Sequence, residues 1–214
     1  MITRKKTEPA LPLAALTGLV MLVSTLVLAG CATPATERYY RIAYPGNAAA
    51  DAGDAAGVQY ELILGSVQIP ESINRPQLVV QKSATEASIT DDQRWVAPLD
   101  EQIAQAVIAN LRGQLPGAWL ASSTAGLAAS GQGLPRYHLK IQVEQLLILS
   151  GDKVVLEANW VLQDGSRKLL KRERSVISVA MSGAGYDPVA PAVSEAVRQL
   201  SAAVAKGMQT ARAS

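Results

Sequence analysis

The fold is decided by one stretch of the chain, YHLKIQVEQLLILSGDKVVLEANWVLQD, at residues 137–164. Its first seven residues alternate between apolar and polar side chains, as in a strand that buries one face. Gly151 and Asp152 interrupt this alternation, and apolar side chains resume at every second position from Val154 to Leu162. A short turn between two such runs indicates an antiparallel hairpin.

A third strand follows the hairpin. Asp164 and Gly165 form a tight-turn signal, and residues 169–181 supply another long strand-like run. The three runs together predict an antiparallel meander, in which each strand pairs with the next one along the chain.

The alternation fails in one place, at residues 146–149, where all four side chains are apolar. A half-buried antiparallel strand normally keeps one face polar. Either a β-bulge and a helix cover the second face, or another protein chain buries it. In the second interpretation Leu146 and Ile148 form an interaction surface. The sequence leaves both interpretations open.

The N-terminal half contains shorter strand-like runs, at residues 39–42, 60–69 and 77–81. A loop of small residues at 45–57 separates the first two runs, and an Asn-Arg-Pro turn at 74–76 separates the second two. We therefore expect the run at 77–81 to be the pairing partner of the run at 60–69.

Two amphipathic helices complete the pattern. The first begins after Pro98, ends near Gly113, and repeats an apolar residue at every fourth position. Those apolar positions are Leu99, Ile103, Val107, Leu111 and Leu115. The second begins at Asp187 and Pro188, and its apolar stripe reaches Met208. The whole pattern predicts an α+β fold, with an antiparallel-dominated mixed sheet and two amphipathic helices packed on one face.

A targeting signal occupies residues 1–30. Residues 4–6 are basic, and an uncharged, mostly apolar run extends from Pro9 to Gly30. The sequence Leu-Ala-Gly-Cys at 28–31 has the form of a lipoprotein box, and Cys31 is the only cysteine of the chain. We predict cleavage before Cys31 and acylation of its thiol. An uncleaved membrane anchor is the alternative interpretation of the apolar run.

The cleaved chain would carry a short tether, residues 31–38, followed by a single periplasmic domain at 39–210. The seven residues between Cys31 and Tyr39 reach roughly 25 Å when fully extended. The domain therefore stays close to the membrane that holds its lipid. The residue after the cysteine is Ala32 rather than Asp, which favours the periplasmic face of the outer membrane in enteric-type sorting.

The charge balance of the mature chain is neutral. The predicted signal contains three of the 20 basic and one of the 18 acidic residues, which leaves 17 of each. Nucleic-acid binding requires a basic surface that neutralises phosphates. A neutral mature chain therefore argues against nucleic acid as a partner.

The sequence lacks the motifs of known catalytic classes. It has no G-x-S-x-G nucleophile motif, and its single histidine, His138, is predicted on the polar face of a strand. We interpret His138 as a surface residue, because hydrolysis or metal binding would need further ligands. The basic run at 167–174 could contact phospholipid headgroups, although a solvated strand face explains it better. We predict a protein that is not an enzyme, has no metal site, and carries only the covalent lipid on Cys31.

Several segments resemble the ABC-type transport auxiliary lipoprotein family, whose members are PqiC-like. They are Tyr39-Tyr40 after the lipobox, LGSVQIP at 64–70, RPQLV at 75–79, RWVAPL at 94–99, and the strand that ends in Trp160. The likeness covers about residues 39–208. It implies structural roles for the motif residues: Pro70, Arg75, Pro76 and Pro98 in turns and a helix start, and Trp95 and Trp160 in the core.

The resemblance implies a non-enzymatic outer-membrane lipoprotein of an MCE-type lipid transport system. Its expected partner is a periplasmic MCE-domain protein that forms a tunnel from an inner-membrane ABC complex or Pqi-like permease. A homo-oligomeric ring would match a ring-shaped tunnel. The alternative is a monomeric envelope-assembly lipoprotein that chaperones an outer-membrane protein or lipopolysaccharide. A lipid hydrolase is a third hypothesis, but the sequence offers it no nucleophile and base.

Overall fold

The computed structural model describes residues 36–44, 57–122 and 133–213. The chain divides into two units, Met1–Thr36 and Glu37–Ser214, and the elements below belong to the second. The signal, Cys31 and nearly all of the loop at 45–57 lie outside the described residues. Cleavage, lipidation and the tether therefore stay predictions.

The described part of the second unit contains eight strands and two helices. They are β1 (Arg38–Tyr40), β2 (Tyr60–Gln68), β3 (Gln77–Gln81), β4 (Ala87–Trp95), α1 (Leu99–Gln114), β5 (Ala118–Ser122), β6 (Arg136–Leu149), β7 (Lys153–Asp164), β8 (Leu169–Ala180) and α2 (Val189–Ala213). The predicted strands and helices are all present, but β4 and β5 were not predicted.

The strands form one branched sheet centred on β6. Along one edge, β6 pairs with β7 over its whole length, and β7 pairs with β8. Along the other edge, β2 pairs with the first half of β6, and β3 joins it at Leu149. Strand β5 lies beyond β2, while β4 and then β1 lie beyond β3. The predicted meander of β6, β7 and β8 is confirmed.

The α+β class with a mixed sheet is confirmed, but the prediction that antiparallel pairing dominates is wrong. Among the described strands, β1–β4, β2–β5, β2–β6 and β3–β6 are parallel, and only β3–β4, β6–β7 and β7–β8 are antiparallel. The prediction that β3 pairs with β2 is also wrong. Parallel neighbours require a long crossover connection, and the chain between β2 and β5, which includes β3, β4 and α1, provides one. Alternating side chains mark a strand but not the direction of its neighbour.

Both helices pack on the same face of the sheet, as predicted. They contact each other, and they contact β2, β5, β7 and β8. The covered side of β7 is almost fully buried, at Val154, Leu156, Ala158, Trp160 and Leu162. Helix α2 packs tightly at Gly207, where a Cβ atom would overlap Cη2 of Trp160. The core is therefore a layer of mostly aliphatic side chains, with the indole of Trp160 beneath α2.

Candidate functional site

A β-bulge in β6 decides which face of the sheet each leucine occupies. Val143 lies opposite Ala158 and Gln145 lies opposite Glu157, so Glu144 is an extra residue with no register partner, although its carboxylate accepts a hydrogen bond from Asn159 of β7. This shift returns Leu146 and Ile148 to the covered face, where they are 5% and 3% exposed. The prediction that they form an interaction surface is therefore wrong. The other interpretation, a bulge with a helix over the second face, describes what is observed.

The opposite face of the sheet carries an apolar patch. Leu147 lies opposite Val155, and both are half-buried. We define the apolar patch as Val79, Ile89, Leu147, Leu149, Val155 and Val176, of which Val176 lies at the rim, opposite Glu157. Ile89 is 50% exposed and Val176 is 62% exposed. Both described helices pack on the other side of the sheet, so no described element covers these six side chains. An aliphatic surface of this kind is typical of an interaction site.

A groove of about 770 Å³ lies on the same face, between the first half of β6 and the strands beside it. We define this cationic groove by His138, Lys140, Arg167, Ile63, Val161 and Asn159. Among its described lining residues there is no aspartate or glutamate. The groove therefore presents cations beside aliphatic side chains.

The single histidine reports the electrostatics of the groove. Burial lowers the pKa of His138, and the positive charges of Arg167, Arg136 and Lys140 lower it further. The polar-face position predicted for His138 is confirmed, since it is half-buried on the face that the helices leave uncovered. Both effects favour the neutral imidazole, since burial and the neighbouring cations each disfavour its charged form.

The cations around the groove fall into two groups. The Nε of Arg136 lies 2.7 Å from Oε2 of the buried Glu61, and a guanidinium nitrogen of Arg174 lies 2.5 Å from Oε1 of Glu157. Lys140 and Arg167 form no ion pair within the described residues. The nearest carboxylates are engaged elsewhere, since Asp164 accepts hydrogen bonds from Ser166 and Lys168, and Glu144 accepts one from Asn159.

Arg167 is held in an unusual backbone conformation. Its φ is +69°, the left-handed region, and it is the only such non-glycine residue in the described part of the chain. The turn around it is organised by Oδ1 of Asp164, which accepts hydrogen bonds from the backbone nitrogens of Ser166 and Lys168 at 2.9 and 3.0 Å. Hydrogen bonding from Ser166 lowers the pKa of Asp164. The turn thus maintains a strained arginine at the groove.

The basic run at 167–174 is divided between two faces. The Nζ of Lys171 lies 5.7 Å from the ring centroid of Trp160, toward the helices, and forms an ion pair with Glu173. Arg172 and Arg174 alternate to the other face, and Arg167 lies in the turn before β8. The sequence indicated a basic strand; it did not show which cations converge with His138.

The family-motif residues occupy turns, a helix start and the core. Pro70 accepts backbone hydrogen bonds from residues 73 and 74, and the carbonyl of Pro76 accepts one from the nitrogen of Trp95 at 2.6 Å. Arg75 lies in the turn between these prolines, and Pro98 is the N-cap of α1. Trp95 and Trp160 are buried in the core. None of the six lines the cationic groove, and their structural role stays a prediction.

No metal site or membrane-spanning helix is found in the described part of the chain. Its acidic, histidine and cysteine side chains form no group of three or more that could hold a metal ion. None of the described helices is both long and apolar enough to cross a bilayer.

Comparison with known proteins identifies relatives of the whole domain. Residues 40–205 match the profile of a family described as the ABC-type transport auxiliary lipoprotein component. The intermembrane transport lipoprotein PqiC of Escherichia coli K12 is 26% identical over 185 residues, which cover 86% of this chain and 93% of that protein. The PqiC of Shigella flexneri matches to the same extent.

Solved structures show the same fold. The crystal structure of an uncharacterized protein superposes with a TM-score of 0.65 at 22% identity and covers 81% of this chain and 99% of that one. Protein XCC0632 from Xanthomonas campestris superposes with a TM-score of 0.59 at 15% identity and covers 83% of this chain and 99% of that one.

Proposed function

Because this chain belongs to the ABC-type transport auxiliary lipoprotein component family, we propose that it is the outer-membrane lipoprotein of an MCE-type lipid transport system. The family match over residues 40–205 carries the proposal. The likeness to intermembrane transport lipoproteins over 86% of the chain supports it. In this proposal the protein is not an enzyme, and it docks a periplasmic MCE-domain tunnel at the outer membrane.

The membrane anchor is the lipid on Cys31. Three acyl chains, each contributing roughly 0.8 kcal/mol per buried methylene, hold a protein essentially permanently. The short tether keeps the domain within roughly 25 Å of its lipid. The protein therefore serves the outer-membrane end of a tunnel, and the tunnel itself must cross the rest of the periplasm.

The anchor is tested by Cys31→Ala. The variant loses the only thiol of the chain, so we expect an unprocessed precursor with no incorporated palmitate. Radiolabelled palmitate and the mobility of the band measure both effects. Labelling at the wild-type level would contradict the lipoprotein assignment.

The docking surface in this proposal is the apolar patch. Its six aliphatic side chains lie on the sheet face opposite the helices, and Val176 and Ile89 are at least half exposed. Full burial of a side chain of this size contributes about 1.5–3 kcal/mol. Two or three such side chains can tip a weak association but cannot hold one alone. A ring of copies would repeat that contact around a ring-shaped partner.

The docking surface is tested with two exposed valines, one on the patch and one away from it. Val176 lies on β8 and is 62% exposed, while Val96 precedes α1 and is 46% exposed. We expect Val176→Glu in the full-length acylated protein to lower co-purification of the MCE-domain protein at least tenfold, because a charge replaces a buried contact. Val96→Glu should retain wild-type recovery.

The readouts are quantitative mass spectrometry of the purified complex and light scattering of the protein in detergent. Equal recovery with both variants would exclude the patch as the docking surface. A strictly monomeric wild-type protein that captures no MCE-domain protein would favour the envelope-assembly chaperone instead.

A further inference from the structure

We propose that the cationic groove binds the phosphate of an anionic phospholipid headgroup, with Lys140 and Arg167 as its cationic contacts. This inference goes beyond docking, because it makes the folded domain itself a lipid-binding component. The groove and the apolar patch are different parts of one sheet face, so variants in one leave the side chains of the other unchanged.

The first argument is unpaired charge. On this sheet face, Arg136 and Arg174 are neutralised by Glu61 and Glu157 at 2.7 and 2.5 Å. Lys140 and Arg167 have no such partner among the described residues, and no described carboxylate lines the groove. A concave surface with cations and no carboxylate attracts anions. Phosphate oxygens accept strong charge-assisted hydrogen bonds from lysine and arginine.

The second argument is the backbone of Arg167. A left-handed conformation costs a non-glycine residue free energy, and glycine would occupy the position without strain. The hydrogen bonds from Ser166 and Lys168 to Asp164 hold the turn in place despite this cost. Strain of this kind is concentrated at functional sites. The turn holds a guanidinium group at the groove where glycine would be more stable.

The third argument concerns the rest of the ligand. Ile63 and Val161 line the groove beside the cations. Free phosphate would contact only the cations, whereas an amphiphile uses both kinds of side chain. The register shift in β2 between Leu64 and Val67 distorts the ladder to β6 beside these residues. A volume of about 770 Å³ is within the range of ligand pockets.

The single histidine makes the groove directly observable by NMR. The full-length acylated protein is kept in a nonionic detergent, and the imidazole signals of His138 are followed against pH. Phosphatidylglycerol, phosphatidylcholine or inorganic phosphate is added in separate samples. A bound phosphate offsets the positive charges of Arg167, Arg136 and Lys140, which lower the pKa of His138. We expect phosphatidylglycerol to raise that pKa and the other two additions to leave it unchanged.

Two variants separate binding from folding. Arg167→Gly removes the guanidinium and relieves the strain, so it should weaken phosphatidylglycerol binding about tenfold or more while the melting temperature stays equal or rises. Lys140→Gln should weaken binding similarly. Lys206→Gln is the matched control, because Lys206 is an exposed lysine on α2; it should bind as the wild type does.

Each other outcome overturns the proposal. An equal rise of the His138 pKa with inorganic phosphate would identify a site for free phosphate rather than a lipid headgroup. No rise with phosphatidylglycerol, or unchanged binding by Arg167→Gly, would show that the groove does not bind headgroups. Loss of the MCE-domain protein from Val176→Glu is a separate result, so failure of docking and failure of lipid binding are distinguishable.

Discussion

The two faces of the sheet are built from the same aliphatic residue types but have different surroundings. On the covered face, Leu146 and Ile148 are at most 5% exposed, and Trp160 is fully buried under α2. On the other face, Leu147 and Leu149 alternate with them along the same strand and stay half-buried. Of these four consecutive apolar residues, two therefore lie in the core and two at the surface. Hydropathy alone does not separate a core residue from a contact residue at such a strand end.

The largest expected effect comes from a charge on the covered face. Ile148→Glu places an unpaired carboxylate in the core and removes buried methyl groups, so we expect a loss of more than about 4 kcal/mol of unfolding free energy. Leu149→Glu, one residue further, faces Lys153 across the strands and should cost about 1 kcal/mol or less. Urea denaturation followed by circular dichroism measures both. Similar losses would show that residues 148 and 149 do not lie on opposite faces of different burial, as the bulge at Glu144 places them.

An intermediate effect is expected where α2 covers Trp160. A Cβ at position 207 would overlap the indole, so Gly207→Ala should destabilise the protein by about 1–3 kcal/mol. Gly113 lies exposed near the end of α1. Gly113→Ala is the matched control and should stabilise the protein by about 0.5–1 kcal/mol, the usual gain from alanine in a helix. If Gly207→Ala also stabilises the protein, the packing of α2 on the covered face is looser than described.

The smallest effect on stability is expected from a substitution outside both sheet faces, at Glu195 on the solvent side of α2. Hydrogen bonds from Arg198, at 2.6 Å, and from Gln199 lower the pKa of Glu195 to about 2. A lowered carboxyl pKa stabilises the fold above the unfolded value, near 4.5, and this contribution is lost as the pH falls toward 2.

Glu195→Gln tests this contribution. The pair is partly exposed, so solvent screening limits the contribution to below about 1 kcal/mol. Thermal melts at pH 6 should therefore differ slightly between wild type and variant, and melts near pH 2 should coincide. A larger difference in melting temperature near pH 2 than at pH 6 would contradict the lowered pKa of Glu195.

Much of the fold was predictable because its signals are local. The meander of β6, β7 and β8 follows from alternating side chains, and α1 and α2 follow from apolar residues at helical spacing. The motif residues also indicated the buried Trp95 and Trp160. Strand β4 escaped prediction because residues 90–93 are all polar. Its strand conformation depends on pairing with β3 and β1, and the single proton of the Thr90 hydroxyl is shared between the carbonyl oxygens of Leu78 and Gln93.

The candidate site was only partly predictable. The polar-face position of His138 and the basic run at 167–174 were both visible in the sequence. The sequence did not show that these residues lie together in one groove. Arg167 lies there because of a strained turn, and Ile63 belongs to a strand more than seventy residues earlier in the chain. The apolar surface was assigned to the wrong side chains, Leu146 and Ile148, for a similar reason. One bulged residue, Glu144, exchanges the faces of every residue that follows it in β6.

The sequence by itself determined the elements whose signals lie within about ten neighbouring residues, which are the strands of the meander, the two helices and the predicted lipidation signal at Cys31. It also carried the motifs that identify the family. Only the tertiary structure decided which strands are parallel, which leucines are buried, and which cations share a groove. Strand direction, burial and the composition of the groove depend on hydrogen bonds and packing between residues far apart in the chain. One bulge or one crossover changes them without altering the local pattern of apolar and polar residues.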